Sequence, residues 1–142
     1  MRLWRLTRAA HAALDGEGAR RFGGRWNAPG RAVVYTAADA ALTVLEVRVH
    51  LDLPLDLLPD DYVLLGIDTG PLEPETGPAL TDPDACRDFG ERWLGEARSA
   101  LLAVPSVIVP ESSDVLINPR HPDSAAVRLV SRRTWRFDPR LF

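Results

Sequence analysis

Apolar positions along this chain fall into short blocks whose period changes from one block to the next. Leu3-Trp4-Arg5-Leu6 reads as a short opening strand. Ala9 to Leu14 is compatible with a helical turn before Asp15-Gly16, and the stretch onward to Arg21 can be read either way. Phe22 to Gly30 is loop, by its glycines and the turn-forming cluster Asn27-Ala28-Pro29-Gly30. Arg31 to Thr36 is β-branched and aromatic, which predicts a strand. Thr36-Ala37-Ala38-Asp39 then fits a capping box, with the Thr36 hydroxyl at the N-cap and a carboxylate three residues on. The row from Ala40 to Leu51 is nearly all apolar. Leu42, Leu45 and Val49 share one helical face while Val44 and Val47 point elsewhere, which predicts a helix buried on most sides. The same row alternates well enough for a strand, but the cap and the preceding alanines favour helix.

Leu53 to Asp61 is a connection rich in proline and aspartate, and Tyr62 to Asp68 reads as a buried strand. Pro71 to Pro83 carries four prolines and one glycine, the composition of an extended surface segment. From Pro83 to Leu101 the spacing predicts a helix with Phe89, Trp93, Leu94 and Ala97 on one side. Ala103 to Val109 is expected as a strand interrupted by Pro105, Val115 to Asn118 as a short extended piece, and Ala126 to Phe137 as an alternating strand with a basic cluster. Helices and strands are mixed without βαβ regularity. The expected class is α+β, in one domain over residues 1–142.

Composition narrows the chemistry. Charged residues make up 26% of the 142 and the net charge is −3, which argues against indiscriminate nucleic-acid binding. All 17 basic residues are arginine, so no lysine nucleophile, Schiff base or P-loop lysine is available. Anion recognition must rest on guanidinium forks and backbone amides. The single cysteine, Cys86, excludes an internal disulfide and reads as a small packing residue. His11, His50 and His121 have no ligand spacing, so no metal is expected. No signal peptide or membrane span is legible, and a cytoplasmic location is expected.

Two local signals carry candidate chemistry. Gly23-Gly24-Arg25-Trp26-Asn27 sets adjacent glycines beside an arginine, which suits either a phosphate contact or a tight turn with a solvated side chain. Glu46 sits in the apolar row, where a carboxylate must be paired or have a raised pKa, and Arg25 is its expected partner. A core ion pair would satisfy the same pattern. His50 reads as a cap or packing residue. No G-x-S-x-G surrounds Ser106, so a serine hydrolase is disfavoured and its hydroxyl is expected to hydrogen-bond. Asn118 to Pro122 is a rigid polar loop, and Arg128, Arg132, Arg133, Arg136 and Arg140 form a basic face read as solvated. Trp93, Trp135 and Phe142 fit either a core or an interface.

In series, the motifs LWRLTR, GGRWNAPGRAVVYTA, AALTVLEVRVH, VPSVIVP and LINPRHP span nearly the whole chain. In this order they resemble the RES-domain family, the toxin half of bacterial Xre–RES toxin–antitoxin pairs. The resemblance implies a mixed, largely antiparallel sheet with flanking helices, similar to ADP-ribosyltransferases, and an activity that cleaves the nicotinamide–ribose bond of NAD+. Position by position, Arg25 matches the family arginine, Glu46 the glutamate and Ser106 the serine, with Tyr35 and Asn118 at two further pocket positions. The implied roles give Arg25 the pyrophosphate, Glu46 the ribose and its developing charge, and Tyr35 the nicotinamide ring, while Ser106 and Asn118 orient the ligand. A helix-turn-helix antitoxin of the Xre type and a homodimer are also implied, with DNA contact belonging to the antitoxin. Water or phosphate is the expected acceptor; a mono-ADP-ribosyltransferase that modifies a protein and a non-catalytic nucleotide-binding module are the alternatives. One departure stands out: where relatives often have Glu-x-Asn, this chain reads Glu111-Ser112-Ser113-Asp114.

Overall fold

A computed structural model describes all 142 residues. The chain runs β1 (Arg2–Arg8), α1 (Glu17–Phe22), β2 (Val34–Ala37), α2 (Ala40–Val49), β3 (Tyr62–Asp68), β4 (Glu75–Thr76), α3 (Pro83–Glu96), β5 (Leu101–Pro105), β6 (Ser113–Ile117) and β7 (Arg128–Thr134). The strands form one seven-stranded sheet in the order β4-β5-β6-β2-β1-β3-β7. Only the β4–β5 pair is parallel. The α+β class and the largely antiparallel mixed sheet expected from the sequence are both present. No helix is long and apolar enough to cross a membrane.

Alternation along the strands divides the core into two layers. On one face, Leu102, Val104 and Leu116 meet Cys86, Trp93 and Leu94 of α3, while Leu6 and Leu64 meet Val44 of α2. Both longer helices therefore cover the same face. On the other face, Leu3, Val34, Ile67, Leu101, Val115 and Ile117 are covered by irregular chain through Leu14, Leu72 and Val127. Trp93 is fully buried, whereas Phe142 packs at the surface on Phe137 and under the Arg48 guanidinium. Cys86 is buried, with its thiol donating to the Leu80 carbonyl. His50 caps the C-terminus of α2.

Several boundaries differ from expectation for identifiable reasons. The helix α1 at Glu17–Phe22 was not resolved from the sequence, and the turn before it is a short 3-10 piece at Ala9–His11. Thr36 is not the cap of α2. It lies in β2 and its hydroxyl donates to the Val115 carbonyl, while Asp39 is the N-cap and accepts from the Ala41 and Leu42 amides. A carboxylate on an extended residue next to the first turn satisfies orphan donors that the strand-bound Thr36 cannot reach. Nor is α2 buried on most sides: Leu42, Thr43 and Val44 are buried, but Leu45 and Val49 are exposed. The helix α3 ends at Glu96, with Ala97 in the left-handed region, because Leu101 has already joined β5. β5 stops at Pro105, and the following strand segment is replaced by a turn in which Ser106 Oγ accepts from the Ile108 and Val109 amides. β7 is an edge strand exposed at every residue, so its alternation does not translate into burial.

The reassigned cap is open to test. Asp39→Ala should destabilise the fold by about 1 kcal/mol, the usual worth of an N-cap carboxylate. The readout is the urea midpoint, compared with a neighbouring exposed substitution such as Ala41→Ser.

Candidate functional site

The glycine loop after α1 is held from four directions. Asn27, almost wholly buried, places Nδ2 within hydrogen-bonding reach of the Ala19, Ala28 and Arg31 carbonyls. Its Oδ1 accepts from the Tyr35 hydroxyl at 2.7 Å, and that hydroxyl oxygen accepts from the Trp26 amide at 2.9 Å. From α3, Glu91 accepts from the Ala28 amide and pairs with Arg31 at 2.6 Å. Gly90 lies so close beneath the loop that a Cβ there would overlap the Trp26 carbonyl. Gly24 is similarly constrained, since a Cβ would stand 2.6 Å from the Tyr35 hydroxyl. The loop is thus a rigid platform rather than a mobile lid.

Arg25 stands on that platform with its side chain exposed. Its one polar contact is a long hydrogen bond, 3.5 Å, from Nη1 to the Thr81 carbonyl, and it makes no ion pair. A guanidinium presented on a fixed backbone without a carboxylate partner is available to an anion. The expected Arg25–Glu46 pair is not formed. Tyr35 braces the loop through its hydroxyl, and burial holds the ionisation of that phenol well above its ordinary range.

Glu46 has other partners. The Ser106 hydroxyl donates to Glu46 Oε1 at 2.7 Å across a separation of 60 residues. Burial, and then the neighbouring Glu46, push the Asp114 carboxyl well above the usual carboxylate range. Because Ser106 Oγ accepts two backbone amides, its proton is directed at Glu46. Glu46 is half-buried rather than enclosed, which relieves the cost of a carboxylate in this apolar helix. Asp114 is the functional candidate that motif reading did not assign. Only its departure from the asparagine pattern marked it out.

The sheet ties these two groups together. Tyr35 is paired with Leu116 and Ala37 with Asp114, so Tyr35 and Asp114 project from the same face as diagonal neighbours. Asn118, by contrast, lies beyond the opposite end of β6. It is buried, its Oδ1 accepts from the Arg120 amide and its carbonyl from the Ser124 hydroxyl. There it shapes the turn that follows and borders a cavity of about 440 Å³ with Arg31, Glu91 and Arg120. The structure therefore brings together Glu46, Ser106 and Asp114, sets Tyr35 on the same sheet face, holds Arg25 on the loop that Tyr35 braces, and leaves Asn118 beyond the opposite end of β6. A separate cavity of about 250 Å³ opens on the other face around Arg5, whose Nη1 donates to the Tyr35 carbonyl and whose buried Nε has no partner.

With this geometry the motif resemblance can be set against known proteins. The RES-domain model matches residues 2–140, and the chain belongs to the RES-domain family. It is similar to a Sphingobium protein named Prs ADP-ribosylating toxin, at 39% identity covering 97% of this chain and 94% of the relative. A Pseudomonas putida protein named Toxin Res is 37% identical over 91% of this chain and 92% of its own. Among solved structures, the Mycobacterium tuberculosis MbcT–MbcA toxin–antitoxin complex contains a chain of the same fold. It matches with a TM-score of 0.77 and 23% identity, covering 99% of this chain and 85% of that one.

The division of labour in the loop makes a paired prediction. Tyr35→Phe leaves the Asn27 Oδ1 and the Trp26 amide without their partner and should cost roughly 1–3 kcal/mol. Arg25→Gln should leave stability within about 0.5 kcal/mol of wild type, as a surface change without a partner does. Urea unfolding of both variants checks the contrast.

Proposed function

We propose that this chain is the toxin component of a toxin–antitoxin pair and consumes NAD+ by breaking its nicotinamide–ribose bond. The observation that carries the reading is the Glu46 carboxylate, oriented by the Ser106 hydroxyl, in a chain whose glycine loop presents the Arg25 guanidinium without an ion-pair partner. Arg25 would take the pyrophosphate of NAD+ with a charge-assisted fork. Glu46 would lie against the ribose next to the scissile bond. As that bond breaks, nicotinamide leaves with the electron pair, and positive charge spreads over the ribose C1 and ring oxygen. A fixed carboxylate stabilises that charge more than it stabilises the ground state. The acceptor then adds to C1 and releases a proton. Ser106 holds the carboxylate in place and needs no activation as a nucleophile, in keeping with the absence of a base other than Glu46 against its hydroxyl.

Water or phosphate is the acceptor in this reading, which depletes NAD+. A second reading, transfer of ADP-ribose to a protein, is favoured by the name of the Sphingobium relative, Prs ADP-ribosylating toxin. Both use the same bond cleavage and differ in what occupies the acceptor side. An antitoxin partner is supported by the toxin–antitoxin complex in which the same fold occurs; that it is of the helix-turn-helix type follows from the motif resemblance alone.

Incubating the purified chain with NAD+ labelled in its adenylate half, with and without cell lysate, separates the readings. Free ADP-ribose or its phosphate ester is expected, whereas a labelled protein band would favour transfer to protein. Arg25→Ala and Glu46→Gln should each reduce NAD+ loss at least a hundredfold, the size of effect that follows removal of one preorganised electrostatic contact. A folded Glu46→Gln protein with full turnover would remove Glu46 from the chemistry.

A further inference from the structure

The strand β7 closes one side of the sheet: β3 pairs with it on one flank and nothing pairs with it on the other. All of its residues are exposed. In an antiparallel ladder a residue turns its N–H and C=O to the same side, and that side alternates along the strand. The Trp135 amide donates to the Tyr62 carbonyl, so Arg133, two residues before it and opposite Leu64, also bonds inward to β3. Arg132 and Thr134 therefore turn their backbone groups outward. On that outer row the Thr134 carbonyl accepts one long hydrogen bond, 3.3 Å, from the Arg133 guanidinium.

The side chains along this edge share one sign. From Ser124 to Phe137 the chain carries four arginines and no acid, although its net charge is −3. Arg128 reaches Asp68 at 3.6 Å, while Arg132, Arg133 and Arg136 form no ion pair. Arg132 lies opposite Leu65 and Arg133 opposite Leu64, so the two guanidiniums rise from opposite faces of the edge. Beside them Leu129 and Val130 are each 41% exposed. Charged residues on an edge strand guard it against stray pairing. A guard does not call for two aliphatic side chains left in water along the same row.

We propose that the β7 edge is a docking strand for an extended acidic segment of a protein partner. Such a segment adds an eighth strand to the sheet. Its backbone takes the outward groups of Arg132 and Thr134, and two consecutive carboxylates meet Arg132 and Arg133, one on each face. Aliphatic residues further along it cover Leu129 and Val130. Charge and hydrogen-bonding capacity decide the occupant. A second copy of β7 would set arginines beside arginines without a counter-ion. Nucleic-acid phosphates would satisfy the guanidiniums, but they only accept hydrogen bonds and leave the outward carbonyls unpaired. The edge is separate from the Glu46–Ser106 pair, since β3, β1 and β2 stand between β7 and β6. The proposal is therefore independent of the function proposed above.

The test uses the full chain and three short labelled peptides, blocked at both ends. One has two consecutive glutamates followed by valines, one has glutamines in their place, and one keeps the glutamates but is N-methylated along its backbone. Fluorescence anisotropy in low salt should show the first binding at least about tenfold more tightly than either of the others, because it alone offers both charge and backbone donors. Arg132→Glu combined with Arg133→Glu should weaken that binding by a similar factor. Thr134→Pro removes an outward N–H but no arginine and no bond to β3, and it should weaken binding as well. Melting temperatures report whether the variants fold; should Thr134→Pro fail to, the N-methylated peptide makes the same comparison on the intact protein. Amide exchange gives the position: the first peptide should slow exchange severalfold at Arg132 and Thr134 and leave Arg133 unchanged. Equal binding of the N-methylated peptide, or of an oligothymidylate of the same charge, would overturn strand docking and leave a general polyanion patch. Absence of binding by the acidic peptide, or binding indifferent to the charge reversals, would overturn it too. A dimer of the free chain that Thr134→Pro abolishes would assign the edge to a second copy instead.

Discussion

The buried amide of Asn27 is the constraint on which the site side of the molecule depends. A primary amide in a core must find partners for both its donors and its acceptor, and Asn27 finds them on α1, on the following turn and on β2. In doing so it joins a six-residue helix, which is too short to persist by itself, to the sheet. It also draws the Tyr35 hydroxyl over the Trp26 amide, and this position in turn leaves room for nothing larger than glycine at residue 24. The arginine between Gly24 and Trp26 is the one loop side chain that the network leaves outside. Rigidity of the backbone and freedom of the guanidinium have the same origin.

A second network, around Glu46, is built on different elements and joined to the first only through the sheet. α2 brings the glutamate, the turn after β5 brings Ser106, and β6 brings Asp114. Since β6 pairs with β2, the register that sets Tyr35 against Leu116 also sets Asp114 against Ala37. A one-residue slip would turn Asp114 away from α2 and Tyr35 away from the glycine loop together. The apolar residues between them, Val34, Val115 and Ile117 below the sheet and Leu116 above it, are fully buried and oppose any such slip.

Much of the fold was legible because burial and period agree in its central parts. Tyr62 to Asp68 is a continuous buried strand in sequence and structure alike, and the capped, proline-initiated start of α3 is written in Asp82-Pro83. What misled was local pattern without tertiary context. Thr36 and Asp39 both look like caps, and only the pairing of β2 with β6 removes Thr36 from contention. The apolar row of α2 suggested burial all round, yet the helix lies on a single sheet face, so Leu45 and Val49 meet solvent. In the site, Arg25, Glu46 and Ser106 were picked out from their motifs, but the partner of Glu46 was not. Asp114 is 68 positions from Glu46 and has no local signature of its own. Asn118 shows the converse, a polar residue in a strong motif whose observed bonds are those of a turn.

The charge layout of the two networks restricts what can bind across them. At the loop end a positive guanidinium stands without a counter-ion; at the helix end the Glu46 carboxyl is held by the Ser106 hydroxyl with Asp114 as its neighbour. A simple anion would gain at Arg25 and lose at Glu46, and a simple cation the reverse. A ligand that carries negative charge on one part and develops positive charge on another meets both, and in NAD+ the pyrophosphate and the nicotinamide-bearing ribose are such parts. In the proposed reaction such complementarity would be strongest when positive charge is greatest, as the glycosidic bond breaks.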